Sequence, residues 1–147
     1  MKKKILLKAL LIVFPILAVG LATTMNSVTV FNTVTGETQY YSYFDALPVT
    51  NLQMITPLTA LMAALSGILA AVYMATKRHV LLKTVSYAAM ASAVAAAIPM
   101  LVREEILVLP NVGLPIFMMA EYCIAYYMSK ENPEKTGKGK NKKLKKR

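Results

Sequence analysis

Four apolar runs, each long enough to cross a hydrocarbon layer, organise this chain. A core of roughly 30 Å needs about 20 helical residues. The first run covers residues 5–25 and is broken only by Lys8, one turn in. A lysine there can lay its stem along the helix and hold its ammonium at the interface. Pro15 predicts a kink in this run, since it removes a backbone donor in mid-helix. The second run, residues 52–76, has Pro57 in its first turn, where a missing N–H costs little. The third, residues 84–102, is dense in alanine. The fourth, residues 106–128, is crowded at its start by Pro110, Gly113 and Pro115. That crowding predicts an extended or broken segment up to Gly113 and a helix from there to Ser129. Non-helical backbone at such depth must be covered by protein or reach water, because lipid satisfies no hydrogen bonds.

Between the first two runs, residues 26–51 change period. Ser27-Val28-Thr29-Val30-Phe31 and Thr38-Gln39-Tyr40-Tyr41-Ser42-Tyr43-Phe44 are rich in β-branched and aromatic residues. The segment between them contains Gly36, which can supply a positive φ, so the loop predicts a β-hairpin. A lone two-stranded hairpin is marginal in water, so this one is expected to lean on the helix ends or on a partner. Residues 77–83 form a short connection that makes the second and third runs an antiparallel pair. Residues 130–147 show no apolar periodicity and predict a disordered tail.

Composition supports the membrane reading. The chain has 147 residues, 56% of them hydrophobic and 16% charged, outside the usual balance of soluble domains in both respects. One cysteine excludes a disulfide framework and any membrane thiol oxidoreductase that needs a reactive pair.

Sorting the charges by side gives an orientation. With both termini inside, the inner side holds Lys2, Lys3, Lys4, Lys8, Lys77, Arg78, Lys83 and nine basic residues of the tail, 16 of the 17 in the chain. The outer side holds Arg103 against Glu37, Asp45, Glu104 and Glu105. Cytoplasmic loops carry the Lys/Arg excess, so the expected topology has the N- and C-termini inside. The net charge of +10 then reports orientation rather than a nucleic-acid surface. Lysines also outnumber arginines 14 to 3, which suits an A/T-rich bacterial genome and hence a bacterial inner membrane. A competing reading makes residues 1–22 a cleavable signal peptide, with Gly20-Leu21-Ala22 at the cleavage site. The apolar run is long for a signal h-region, so an uncleaved anchor is the expectation.

Four spans with a strand-bearing first outer loop resemble the architecture of claudin-type tetraspan proteins. The outer loop of that family carries a Trp and a paired-cysteine signature. This chain has no Trp, and its single cysteine, Cys123, lies in the last run. The resemblance is one of architecture, and the motif residues have no counterpart here.

Candidate functional residues fall into three groups. Tyr40, Tyr41, Tyr43 and Phe44 either pack onto the bundle as a lid or display a recognition surface, for which Tyr-rich patches are suited. Glu121 is the one ionisable residue well inside a run, and intramembrane carboxylates are functional candidates by default. Measured from Lys130 it stands nine residues, about 13 Å, into the helix, short of the midplane. A bond to Tyr73 or to another hydroxyl of the second run is its expected structural role. Lys138, Lys140, Lys142, Lys143, Lys145, Lys146 and Arg147 are expected to meet anionic inner-leaflet headgroups, at about 1 kcal/mol per residue near the surface. The tail has no aromatic residue to stack on bases, so nucleic acid is not an expected partner.

Small residues recur at four-residue spacing as Ala63, Gly67 and Ala71, as Ala88, Ser92 and Ala96, and as Ala89, Ala93 and Ala97. Such spacing lets helices approach closely, here the second and third runs or copies of the chain. Thr59, Ser66 and Tyr73, seven apart, are expected to bond to backbone or a neighbouring helix. His79 is the only histidine, expected to be solvated or in contact with headgroups in the inner loop, and Cys123 is expected to be a buried, inert thiol, with inner-leaflet lipidation as the alternative. No phosphate loop, nucleophile elbow, metal cluster or cofactor motif occurs.

The expected fold is therefore an all-α integral membrane protein: a four-helix transmembrane bundle over residues 1–129, an outer β-hairpin, and a basic tail over residues 130–147. The expected function is non-enzymatic. The chain reads as a multi-pass plasma-membrane subunit or scaffold that recognises a protein partner through its aromatic outer loop. The alternative is a small oligomeric transporter or channel using Glu121 and the broken start of the fourth helix. A lipid-directed enzyme using Glu104, Glu105 and Asp45 lacks a nucleophile or metal cluster.

Overall fold

A computed structural model describes residues 2–24, 26–48, 52–101 and 106–131. Four helices dominate: α1 (Lys2–Thr23), α2 (Ile55–Thr76), α3 (His79–Leu101) and α4 (Gly113–Glu131). Strands β1 (Val28–Asn32) and β2 (Thr38–Tyr41) lie between α1 and α2, and β3 (Ile106–Pro110) lies between α3 and α4. The helices form a ring in which α1 and α3 each pack against both α2 and α4. Among the described residues, three helical segments are long and apolar enough to cross a membrane: Lys4–Thr23, Ile55–Thr76 and His79–Leu101. This fits a membrane location. Helix α4, which carries Glu121, three tyrosines and Lys130, is the least apolar of the four.

The expected hairpin is present, but it is two-thirds of the sheet. β1 pairs antiparallel with β2 on one side and with β3 on the other, giving the order β2-β1-β3. The segment expected only to be extended or broken thus has a defined role as an edge strand. Pairing explains how its backbone is satisfied: the ladder with β1 supplies partners that a broken helix would lack. The hairpin loop follows its sequence. Gly36 takes φ +70°, and the Asn32 side chain accepts from the backbone N–H groups of Val34 (2.9 Å) and Thr35 (3.2 Å), an Asx-type turn.

The α2–α3 connection is tighter than expected. Residues 77–83 do not form a loop, because α3 starts at His79, five residues before the expected span. Lys77 adopts a left-handed conformation (φ 55°), and its N–H caps α2 by donating to the Tyr73 carbonyl at 2.7 Å. A lysine does here what glycine usually does, at roughly 1–2 kcal/mol of local strain.

Two apolar clusters fill the interior. The outer one joins the sheet (Val28, Val30, Val108) to Ala18, Ala22, Ala63, Ala93 and Met118. The inner one gathers Leu11, Ala70, Tyr73, Leu82, Val85 and Ala125. Both small-residue stripes of α3 serve this packing, with Ala88, Ala89, Ser92, Ala93 and Ala96 buried. The stripe on α2 divides its contacts: Ala63 is buried, whereas a Cβ on Gly67 would stand 3.2 Å from the Pro15 Cβ of α1. Gly67 therefore serves the α1–α2 approach rather than the α2–α3 one. Ser92 Oγ donates to the Thr59 carbonyl at 3.0 Å, tying α3 to α2. Thr59 Oγ1 bonds its own helix at the Ile55 carbonyl, 2.7 Å away. These hydroxyls bond backbone, as expected.

Candidate functional site

The sheet has two unlike faces, set by strand parity. Val28 and Val30 on β1 are buried, as are Val108 and Pro110 opposite them on β3. Thr29 and Phe31 alternate to the other side. Register places Tyr40 across from Thr29, and Thr38 across from Phe31. Phe31 and Tyr40 are thus diagonal neighbours on the outward face, within reach of each other and of one ligand surface. They are 37% and 58% exposed.

The four aromatic candidates of the outer loop separate. Tyr40 is exposed on the outward face. Tyr41, opposite Val28, is half-buried and packs on the outer core cluster, its hydroxyl donating to Gln39 Oε1 at 2.6 Å. Tyr43 is fully buried and belongs to the core, not to any displayed surface. Phe44 returns to the exterior, 42% exposed.

The alternation of β2 carries on into the turn that follows the strand. The Ser42 N–H donates to Asp45 Oδ2 at 2.7 Å, and the Asp45 N–H returns to the Ser42 carbonyl at 3.2 Å. Hydrogen bonding from the Ser42 backbone, then from its hydroxyl, holds the Asp45 carboxyl below its ordinary pKa. That contribution is present above the ordinary carboxylate range and fades as pH falls through the lowered value. Inside the turn the Tyr43 N–H donates to the Ala22 carbonyl at 3.0 Å, and its hydroxyl reaches the Asn111 carbonyl at 3.5 Å. Burial pushes the Tyr43 phenol up. Asn111 in turn donates its N–H to the Ser27 carbonyl at 2.6 Å and accepts the Gly113 N–H on Oδ1 at 2.8 Å. One tyrosine and one asparagine therefore link the end of α1, the start of β1 and the start of α4. These contacts seat the platform under Phe31 and Tyr40 on the helix ends.

Sequence reasoning missed Phe31 as a surface residue. The signal was available in Val28-Thr29-Val30-Phe31, whose alternation puts phenylalanine opposite in direction to two valines.

Glu121 lies elsewhere, between the two apolar clusters, with no exposed surface. Its Oε2 is 3.0 Å from Ser66 Oγ, a second-helix hydroxyl as expected, and Oε1 has no partner among the described residues. Ser66 has eleven α2 residues before it and ten after. The carboxyl therefore stands opposite the middle of α2. Ser66 Oγ is also 2.8 Å from the Ala63 carbonyl. A hydroxyl has one proton. If that proton goes to Ala63, the contact with Glu121 requires the proton to come from a neutral carboxylic acid, which is also the form that costs least to bury.

Cys123 is exposed at the bundle surface, contrary to the expected burial. It follows the buried Glu121 by two positions and so turns away from the core. His79 is half-buried at the first turn of α3 rather than solvated in a loop, its ring 6.4 Å from that of Tyr73. Lys138, Lys140, Lys142, Lys143, Lys145, Lys146 and Arg147 lie outside the described residues, as do Glu104 and Glu105. No group of metal-binding side chains occurs among the described residues.

Comparison with models of known families, with curated proteins and with solved structures returned no match.

Proposed function

We propose that this chain is a non-enzymatic subunit or scaffold of a membrane complex, docking a protein partner on the outward face of its three-stranded sheet. In this reading all four helices cross the membrane. Helix α4, 19 residues long, reaches about 28 Å at 1.5 Å per residue. The sheet lies outside and both termini inside a plasma membrane, with α1 retained: its Leu11, Ala18 and Ala22 are core residues.

The observation that carries the reading is the placement of exposed aromatics on a sheet tied by hydrogen bonds to the helix ends. Phe31 and Tyr40 stand on a sheet tied to the helix ends through Tyr43 and Asn111, and Phe44 is exposed in the turn after β2, so part of the ordering cost of binding is met in advance. Aromatic anchors on a fixed surface are the usual energetic centre of an interface. A photoreactive phenylalanine analogue placed at Tyr40 in native membranes is expected to trap one discrete protein species. The same analogue at the lipid-exposed Leu61 of α2 should not trap that species. Equal trapping from both positions, or none from Tyr40, would contradict the reading.

The position of Glu121 favours a second reading, a small oligomeric transporter or channel. A central intramembrane carboxyl with one unpartnered oxygen is the type of group such proteins use to couple protons or cations. It is enclosed in this bundle, and neither the α1–α2 cleft nor the α3–α4 cavity is lined by it. That enclosure is why the docking reading is preferred.

A further inference from the structure

The end of the bundle opposite the sheet carries a cavity of about 500 Å³ between α3 and α4. Its lining changes character along the helix axes. At the rim stand His79 and Lys83 on α3 and Lys130 on α4; deeper are Ser86, then Tyr87 and Met90. Among the described residues neither Lys83 nor Lys130 is paired with a carboxylate, since the one ion pair joins Lys4 to Glu131 at 3.9 Å. Lys130 is instead held over the Tyr126 ring, 4.6 Å from its centroid, and Tyr126 stacks on Tyr122. This packing fixes one ammonium at the cavity wall. His79 Nδ1 is buried without a hydrogen-bond partner among the described residues. Moving inward from Lys83, Tyr87 and Met90 are 71% and 41% exposed and offer an apolar wall one and two turns farther into the membrane.

We infer that this cavity binds an anionic phospholipid, with the phosphodiester between Lys83 and Lys130 and one acyl chain along Tyr87 and Met90. The cation-to-apolar gradient matches an amphiphile of that polarity, and a free phosphate would use only its rim. Basic pockets between membrane helices on the cytoplasmic side bind acidic headgroups by the same logic. The inference rests on the membrane reading but not on partner docking, so loss of one leaves the other standing. The site is built from side chains of α3 and α4, and the lysines of the tail lie outside the described residues.

The test is native mass spectrometry of the full-length protein in detergent with added phosphatidylglycerol, phosphatidylcholine or inorganic phosphate. A single-lipid adduct with phosphatidylglycerol is expected, with phosphatidylcholine weaker and no retained phosphate. The double variant Lys83→Gln/Lys130→Gln should weaken the phosphatidylglycerol adduct about tenfold or more. Lys83→Arg/Lys130→Arg should keep it, and so should Lys142→Gln/Lys143→Gln, which removes the same charge from the tail. Equal losses from the cavity and tail variants would overturn the inference, as would equal binding of the two lipids or retention of inorganic phosphate. If the glutamine variant does not fold, phosphatidylglycerol with a photoreactive acyl chain supplies an independent readout on the unaltered protein. Labelling within 83–90 or 122–130 supports the site, and labelling confined elsewhere overturns it.

Discussion

Tyr43→Ala is expected to lower the stability of the purified protein in detergent by about 3–5 kcal/mol, the range for truncating a fully buried aromatic. Tyr43 is the largest of the fully buried side chains, and it occupies the junction where α1, the sheet and the start of α4 meet. Alanine would leave a cavity in the apolar cluster that Tyr43 shares with Ala22, Val28 and Leu114, and a close-packed interior relaxes only partly around such a loss. Tyr43→Phe should cost no more than about 1 kcal/mol, because the hydroxyl bond to Asn111, at 3.5 Å, is at the limit of hydrogen bonding. Tyr40→Ala should be within about 0.5 kcal/mol of the parent, as for other exposed positions. Unfolding titrated with denaturing detergent and followed by circular dichroism gives all three values. If Tyr43→Ala and Tyr40→Ala were equally mild, the sheet would not be seated through Tyr43.

The second large effect concerns Glu121. Glu121→Lys should cost more than about 4 kcal/mol, or abolish accumulation of the protein, because it places a cation opposite the middle of α2 with no carboxylate to meet it. Glu121→Gln should cost less than about 1 kcal/mol. Its amide can donate to Ser66 Oγ as a neutral carboxylic acid would, and Ser66 keeps the Ala63 carbonyl. Glu121→Met should be neutral or stabilising, because it removes a buried carboxyl with one unpartnered oxygen while Ser66 keeps its bond to the Ala63 carbonyl. The same denaturant titration measures these differences. A glutamine variant as damaged as the lysine variant would mean that the carboxyl has an ionic role. Reconstituted ion flux lost in Glu121→Gln would then shift the balance to the transporter reading.

Much of this architecture was legible in the chain. Apolar length located the helices, Pro57 marked the start of α2, and the β-branched and aromatic loop with Gly36 announced a hairpin. β3 was not legible as a sheet strand, because its partner β1 lies more than seventy residues earlier and no local pattern encodes that register. Pro110 and Gly113 looked only like helix breakers. The start of α3 was misplaced because Arg78, His79 and Lys83 read as a charged loop, whereas the first turn of α3 already holds His79 and carries on through Lys83. The aromatic cluster obeys strand parity, with Tyr41 and Tyr43 toward the core and Tyr40 and Phe44 away from it, so reading the four as one displayed group overlooked an alternation that was legible in the chain. Glu121 was legible as an intrahelical carboxyl with an α2 hydroxyl for a partner, but which hydroxyl was not, because the level of α4 against α2 is a property of the packed bundle.

Both proposed surfaces depend on the sidedness of the bundle, with the sheet outside and the basic helix ends inside. Cysteine labelling reads this directly. In a Cys123→Ser background, Gln39→Cys on the exposed edge strand and Arg78→Cys at the α2–α3 connection each present a single thiol. A membrane-impermeant maleimide applied to intact cells is expected to label the position-39 variant at once, and the position-78 variant only after permeabilisation. Labelling of position 78 in intact cells, with position 39 protected, would contradict the account.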